Sequence, residues 1–250
     1  MKAAFWLAAL LLLAGCATSG NENASSPEKR AQIYTALGVA YLQQGQTRAA
    51  VQEFNKAIEI DSRSADAHSA LGLAYQQLNQ PELAAKAFRE ALDISPHAPG
   101  ILNNYGAFLL SQGKYGEAEK ALRQALADPL YPTPQFAYLN LAKVHAARGD
   151  QQQARAELNR ALEIQPNFAP ALLQLAILDY AEGNLPAAES EVELALAQMP
   201  KDLDARLLAG QVARDRKRYG EARRHFQQVI DQAPFSPQGR RAQSLLLQLP

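Results

Sequence analysis

Few side chains in this sequence have the types and spacings that catalysis or metal binding requires. The four histidines lie far apart, and none has a second His or Cys at the short spacing typical of a metal site. They are His68, His97, His145 and His225. A glycine-rich phosphate loop, a nucleophile elbow and a His-Glu-x-x-His motif are missing from the 250 residues. The sequence thus predicts no enzyme activity, no metal site, no cofactor and no small-molecule substrate, so function has to reside in surfaces.

The thiol of Cys16 is the one group with a defined chemical role. It follows Lys2 and an apolar run at 3–14, which is long enough for a signal-peptide core but shorter than the roughly 20 residues of a membrane-spanning helix. The tetrapeptide LAGC at 13–16 resembles the bacterial lipobox, in which the thiol is joined to diacylglycerol before cleavage in front of the cysteine. We therefore expect a lipoprotein signal peptide at 1–15 and covalent lipid, including palmitate, on Cys16. The alternative is an ordinary secretory signal with an incidental cysteine.

The residues after Cys16 indicate where the lipid would hold the protein. Ala17, rather than Asp, follows the cysteine, which by resemblance to the sorting rule of lipoproteins favours the outer membrane, with the folded part facing the periplasm. Residues 16–30 are poor in large apolar groups and rich in Ser, Asn and Gly, so the sequence predicts a lipidated flexible tether there.

Charge gives no reason to expect nucleic acid as a partner. The chain has 25 basic and 25 acidic residues, and the export signal argues against a nucleic-acid partner. A local excess of basic residues lies between 206 and 241, where Lys and Arg outnumber Asp and Glu. This excess is typical of a solvated face, although it could also meet anionic head groups or an acidic partner.

A helix-turn-helix pattern repeats along most of the chain. Its clearest copy, 65–98, has small and aromatic residues at helical spacing on two stripes and Pro96 near its end. Copies begin near 31, 65, 99, 135, 169 and 203, so the period is 34 residues except for one step of 36. A period of 34 is that of the tetratricopeptide repeat. The predicted fold is an all-α, right-handed superhelix of six repeats at 31–236, closed by a capping helix at 237–250.

Two local features of the repeats carry specific expectations. Gly72 is predicted to face Ala84 where the two helices of its repeat cross, because small residues let the helix axes approach. The two extra residues lie in the proline-rich segment 128–134, which is predicted to form an extended loop. This loop is either a tolerated insertion or a projection that presents Tyr131 to a partner or offsets the superhelix.

The first helices of such arrays line a concave face, which is the predicted partner-binding surface. Copies four and five place an apolar set of side chains there, bordered by an amide. The candidate groove residues are Asn103, Phe136, Leu139, Leu173, Ile177 and Tyr180. An apolar groove with a polar rim suits a peptide or an amphipathic helix. The alternative is that some of these side chains pack against the neighbouring repeat.

The lipobox, the six repeats and the segments YTALGVAYLQQGQTRAA (34–50) and NNYGAFLLSQGKYGEAE (103–119) resemble the PilF/PilW family of type IV pilus biogenesis lipoproteins, which are tetratricopeptide-repeat pilotins. The resemblance implies a non-enzymatic escort that binds secretin subunits and promotes their outer-membrane localisation and multimerisation. The alternatives are a lipoprotein that scaffolds peptidoglycan enzymes or a different pilus or secretion system, and a periplasmic enzyme with an unrecognised site.

Overall fold

A computed structural model describes residues 26–250, which form thirteen α-helices and no β-strand. The helices are α1 (Pro27–Gln43), α2 (Thr47–Ile60), α3 (Ala65–Gln77), α4 (Pro81–Ile94), α5 (Pro99–Ser111), α6 (Tyr115–Leu126), α7 (Pro134–Ala147), α8 (Gln151–Ile164), α9 (Ala169–Ala181), α10 (Leu185–Gln198), α11 (Leu203–Asp215), α12 (Tyr219–Gln232) and α13 (Pro237–Leu247). Among these described helices, none has the length and hydropathy needed to span a bilayer. The predicted signal peptide and Cys16 lie outside the described residues.

Each odd-numbered helix from α1 to α11 packs most extensively on the even-numbered helix that follows it, giving six helix-turn-helix units. The turn inside every unit contains one residue with positive φ, and these residues recur at the repeat period. They are Gly45, Asn79, Gly113, Gly149, Gly183 and Lys217. Each even-numbered helix also packs on the first helix of the next unit, so the core continues from one repeat to the next. The predicted all-α tetratricopeptide-repeat class is therefore confirmed.

The first helix begins earlier than the sequence pattern indicates. Composition places residues 27–30 in the flexible tether, but α1 starts at Pro27. The Ser26 side chain accepts a hydrogen bond from the Lys29 backbone N–H, and Pro27 occupies the first helical turn, where its missing N–H needs no partner. The tether prediction for residues 27–30 is therefore wrong, because a local capping signal outweighs their polar composition.

The insertion between repeats three and four forms a longer connection, as predicted, but it does not present its tyrosine. Linker 127–133 replaces the four-residue linkers found between other repeats, such as 95–98. The Tyr131 ring is buried in the core that joins repeats two, three and four, and burial raises the pKa of its hydroxyl. The idea that this loop presents Tyr131 to a partner is therefore wrong. Tyr131 instead anchors the loop in this shared core.

A size match between two positions sets how closely the helices of each repeat approach. A Cβ added to Gly72 would meet the ring of Phe88, so Phe88, rather than the expected Ala84, limits this crossing. The equivalent pairs are Gly38 with Phe54, Gly106 with Leu122, Ala142 with Leu158, Ala176 with Val192 and Gly210 with Phe226. At these crossings Gly stands opposite every Phe, whereas Ala stands only opposite a smaller aliphatic side chain. The inter-helix distance is therefore held by paired volumes.

The C-terminal end of the array is closed by α13. Leu245 is buried against Phe226 and Val229 of the sixth repeat, and Leu246 and Leu249 pack on the same cluster. The outward face of α13 carries Arg240, Arg241 and Ser244 in succession. An apolar inner face and a largely polar outer face are what a capping helix of a repeat array needs.

The volume match predicts a destabilising alanine at a helical glycine. In Gly210→Ala, the new Cβ would lie 2.5 Å from Cε1 of Phe226, so overpacking should lower the free energy of unfolding by about 1–3 kcal/mol. Adding Phe226→Leu to Gly210→Ala recreates the pair that Ala142 and Leu158 form in repeat four. A double-mutant cycle from urea unfolding should therefore give a favourable coupling of about 1 kcal/mol.

Gly220→Ala is the matched control for this cycle. Gly220 lies in α12 with nothing within 4 Å of an added Cβ, so alanine should leave stability unchanged or raise it by up to about 1 kcal/mol through helix propensity. Equal stabilities for Gly210→Ala and the parent protein would contradict the size-matching account.

Candidate partner-binding surfaces

The concave face keeps only part of the groove that the sequence predicts. Phe136 and Ile177 are 42% and 40% exposed, and Asn103 and Tyr180 are partly exposed. Leu139 and Leu173 are buried in the cores between adjacent repeats, so their assignment to an open groove is wrong. Both lie on the side of the first helix that turns towards the neighbouring repeat, which is the alternative left open by the sequence.

Aromatic and polar contacts hold the exposed groove residues in place. The Phe136 ring packs edge-on against the buried Phe168, with ring centroids 5.0 Å apart, and Phe168 precedes α9. The Tyr180 hydroxyl donates to Oδ2 of Asp215 over 2.6 Å and accepts from Arg214. Burial, followed by the neighbouring Asp215 carboxylate, raises the pKa of Tyr180. The groove therefore has fixed apolar points and a polar end in repeat six.

The first helix of the array exposes a second apolar surface that sequence reasoning missed. Ile33 and Leu37 are 61% and 41% exposed, and Ala36 and Ala40 continue the same side of α1. We call these four residues the N-terminal face. Their spacing of three and four residues places them on one side of the helix.

Repeat geometry explains why the N-terminal face is unusual. At the position of Ile33, the residues in all five later repeats are buried: Ala67, Ile101, Ala137, Ala171 and Ala205. Those helices pack on the second helix of the preceding repeat, and in the described residues no helix precedes α1. The face therefore has the form of a surface that accepts another helix. Register alone could have revealed it, because all later repeats bury the residue at the position of Ile33 and most bury the one at the position of Leu37.

A cavity of about 730 Å³ adjoins the N-terminal face on its concave side. Ala36, Val39 and Ala40 of α1 form one apolar wall and Ile101 contributes another, while charged side chains including Asp66 border the opening. Ala36 and Ala40 belong to both the cavity and the N-terminal face. Repeat one thus offers a continuous apolar surface with a charged margin, the arrangement expected of a peptide-docking site.

Three carboxylates, from Glu189, Glu193 and Glu221, come together between α10 and α12. Arg216 and Arg218 pair with Glu189, and Arg218 also lies 3.3 Å from Glu221, so cations already compensate these acids. Several basic side chains of the last repeat are therefore engaged in internal ion pairs. The cluster forms an inter-helix ion-pair network.

A buried polar cluster lies beneath the groove in repeats four and five. Asp179 is 2% exposed and accepts hydrogen bonds from Arg155 and Asn184, each at 2.9 Å. Burial opposes ionisation of Asp179, but the bonds and charge of Arg155 outweigh it and lower its pKa. Burial and the adjacent Asp179 charge raise the pKa of Glu191 to about 7. Glu191 is therefore the carboxyl group of this cluster that holds its proton near neutrality.

Comparison with known proteins agrees with this architecture. Sequence models described as "TPR repeat" and "Tetratricopeptide repeat" match residues 38–79, 65–97, 109–167 and 173–237. The described helices and their packing define a tetratricopeptide-repeat scaffold, a class of non-catalytic proteins that bind protein partners.

Three matches, to two relatives, define the family more closely. The type IV pilus assembly protein PilF of Pseudomonas aeruginosa is 35% identical over 186 residues, 73% of this chain and 74% of its own length. A crystal structure of PilW, described as a widely conserved type IV pilus biogenesis factor, superimposes with a TM-score of 0.73 at 30% identity and covers 85% of this chain and 98% of that one. A structure of Pseudomonas aeruginosa PilF superimposes with a TM-score of 0.72 at 30% identity, and the match covers 88% of this chain and 100% of that one. The chain belongs to the PilF/PilW family of type IV pilus biogenesis proteins.

The raised pKa of Glu191 predicts a stability that falls as pH rises. The folded state holds a proton up to about pH 7 that the unfolded chain releases near pH 4.5, so the penalty develops between these values and is complete above them. Glu191→Gln removes this ionisation. After allowance for solvent screening, we expect it to raise unfolding free energy by about 1–2 kcal/mol at pH 8 relative to the parent, and by little at pH 4.5.

Urea unfolding of both proteins from pH 4.5 to 8.5 measures this difference. Glu163→Gln, an exposed substitution on α8, is the control and should show no such pH-dependent gain. A constant difference between Glu191→Gln and the parent protein at all pH values would rule out the proton-linked account.

Proposed function

We propose that the protein is an outer-membrane lipoprotein that acts as a pilotin. It binds secretin subunits of the type IV pilus in the periplasm, brings them to the outer membrane and promotes their multimerisation. Membership of the PilF/PilW family supports the pilus role, and the LAGC lipobox supports the lipid anchor. Binding energy performs this task, and no covalent step is needed.

The observation that carries the proposal is the exposure of the N-terminal face, which no helix within residues 26–250 covers. The C-terminal end of the array is covered by α13, whereas Ile33 and Leu37 at the other end are open to solvent. An amphipathic secretin segment can cover these side chains as a preceding second helix would, laying its apolar stripe along α1. The burial of apolar side chains then supplies affinity.

The proximity of this face to the lipid fits an escort that hands its cargo to a membrane. Ser26, the N-cap of α1, lies ten residues after Cys16, and a fully extended chain of that length spans at most about 35 Å. A secretin segment on the N-terminal face is thereby held close to the bilayer that anchors Cys16. A groove further along the array would not be so constrained.

Charge on the N-terminal face tests the site. Ile33→Asp with Leu37→Asp should reduce co-purified secretin roughly tenfold or more, because both carboxylates would have to be desolvated on docking. Secretin multimers, measured by immunoblot of unboiled envelope samples, should fall in parallel. The parent residues are exposed, so melting temperature should change little.

Ile164→Asp with Leu194→Asp is the matched control, since these side chains are 46% and 49% exposed on other helices. It should retain secretin binding. Normal multimers in the Ile33 and Leu37 double variant would exclude the N-terminal face. Normal pili with altered cell shape after gene deletion would instead favour a scaffold for peptidoglycan enzymes.

Two adjacent substitutions test the anchor. Cys16→Ala should abolish incorporation of labelled palmitate and release the chain from membranes, because the thiol is the lipid acceptor. Ala17→Asp should keep the lipid but move the protein to the inner-membrane fraction of a sucrose gradient. Both should lower secretin multimers. Palmitate labelling that persists in Cys16→Ala would refute the lipobox assignment.

A further inference from the structure

Lys143 brings a positive charge to the central part of the concave face. The other residues that line this face in repeats three to five are neutral, and the exposed or partly exposed ones include Asn103, Phe136, Ile177 and Tyr180. None of them is acidic. Lys143 therefore places a cation on an otherwise neutral and mostly apolar surface.

The Lys143 ammonium is short of compensation within residues 26–250. Its side chain is partly buried, and no hydrogen bond or ion pair joins it to another described residue. Burial lowers its pKa, which reflects the cost of keeping the charge away from water. A partly desolvated cation without a counter-charge raises the free energy of the unliganded protein. An anionic group from a partner would offset that desolvation cost.

A second free donor lies on the adjacent helix. The Asn140 side-chain amide, three residues before Lys143 on α7, donates to Oδ1 of Asn103 on α5 over 3.0 Å. This bond orients the Asn103 side chain, and the Asn103 NH₂ group donates to no acceptor in the part of the chain that the structure describes. Asn103 on α5 and Lys143 on α7 therefore border the groove as two donors on neighbouring first helices, a combination that suits a carboxylate.

Apolar contacts are available on either side of these donors. Phe136 lies two turns before Lys143 on the same side of α7, and Ile177 is the residue equivalent to Lys143 in the next repeat. Their side chains are about two-fifths exposed. α7 and α9 also pack against each other less closely than other adjacent first helices such as α5 and α7. A shallow, open groove of this kind suits peptide side chains better than an acyl chain, which needs an enclosed cavity.

We propose that the concave groove of repeats three to five binds a peptide segment in which an acidic side chain lies between apolar ones. The carboxylate pairs with Lys143 and accepts a hydrogen bond from Asn103, while the flanking side chains pack on Phe136 and Ile177. This site is separate from the N-terminal face and does not depend on the pilotin role. It gives the array a second specificity, selected by charge.

A peptide selection tests this specificity even though the natural partner is unidentified. The full chain is immobilised and screened against a random 12-residue display library. The parent protein should enrich Asp or Glu at a fixed distance from apolar residues. Lys143→Met should keep the apolar preference and lose the acidic one, and Lys143→Glu should enrich Lys or Arg at the same place. Lys120→Glu, an exposed charge reversal on α6, should select the same peptides as the parent.

Affinity measurements complete the test with one selected peptide and its Glu→Gln counterpart. Fluorescence anisotropy should show binding weakened about tenfold by either Lys143→Met or the peptide substitution, and no further loss when both are combined. Thermal melts establish that the variants are folded. The proposal is overturned if no acidic preference emerges, or if that preference survives Lys143→Glu in a folded protein. Ile33→Asp with Leu37→Asp should leave this binding intact, so failure here and failure of the pilotin role are separable.

Discussion

The structure depends on one packing constraint: a two-helix repeat has more apolar surface than its own two helices can cover. Each second helix must therefore pack on the first helix of the next repeat, and the core continues along the array. This constraint leaves two ends, and within residues 26–250 these ends differ. α13 closes the C-terminal end, but Ile33 and Leu37 stay exposed at the other. The asymmetry leaves apolar side chains of repeat one available to an added helix.

Close approach within each repeat follows from the same need to fill volume. A Phe at the crossing fills the space between the helices only where Gly stands opposite, and Ala suffices where Leu158 or Val192 replaces the ring. The repeats thus fill this crossing with different residue pairs. The contact depends on both positions, so reading either position alone misidentifies it, as the expected Gly72 to Ala84 contact shows.

The sequence was sufficient to predict properties that recur in every repeat. It was insufficient to predict the burial of side chains that depends on contacts with neighbouring repeats. The period, the fold class and the long linker are visible because the same pattern recurs, and each recurrence reduces the ambiguity of a single helix. Leu139 and Leu173 are buried, whereas Thr35 and Asn103, at the same position in other repeats, are partly exposed. Burial at this position therefore depends on how each repeat packs against the next. Residues 27–30 were assigned to the tether because composition does not reveal a local helix cap, and composition alone could not decide whether Tyr131 is buried or projects.

Two charged side chains in the middle of the array, Asp179 and Lys143, differ in whether other residues compensate their charge. This difference distinguishes a charge that stabilises the fold from one that is available to a ligand. Asp179 is compensated by Arg155 and Asn184, so its charge is part of the fold. Lys143 has no such partner in the described chain, although a methionine there would fill similar space without an ionisation penalty. Because repeats contact only their neighbours, occupying the groove at Lys143 should leave the N-terminal face unaltered while the array stays folded. The two proposed ligands should then bind additively, one on the N-terminal face and one at the centre of the superhelix.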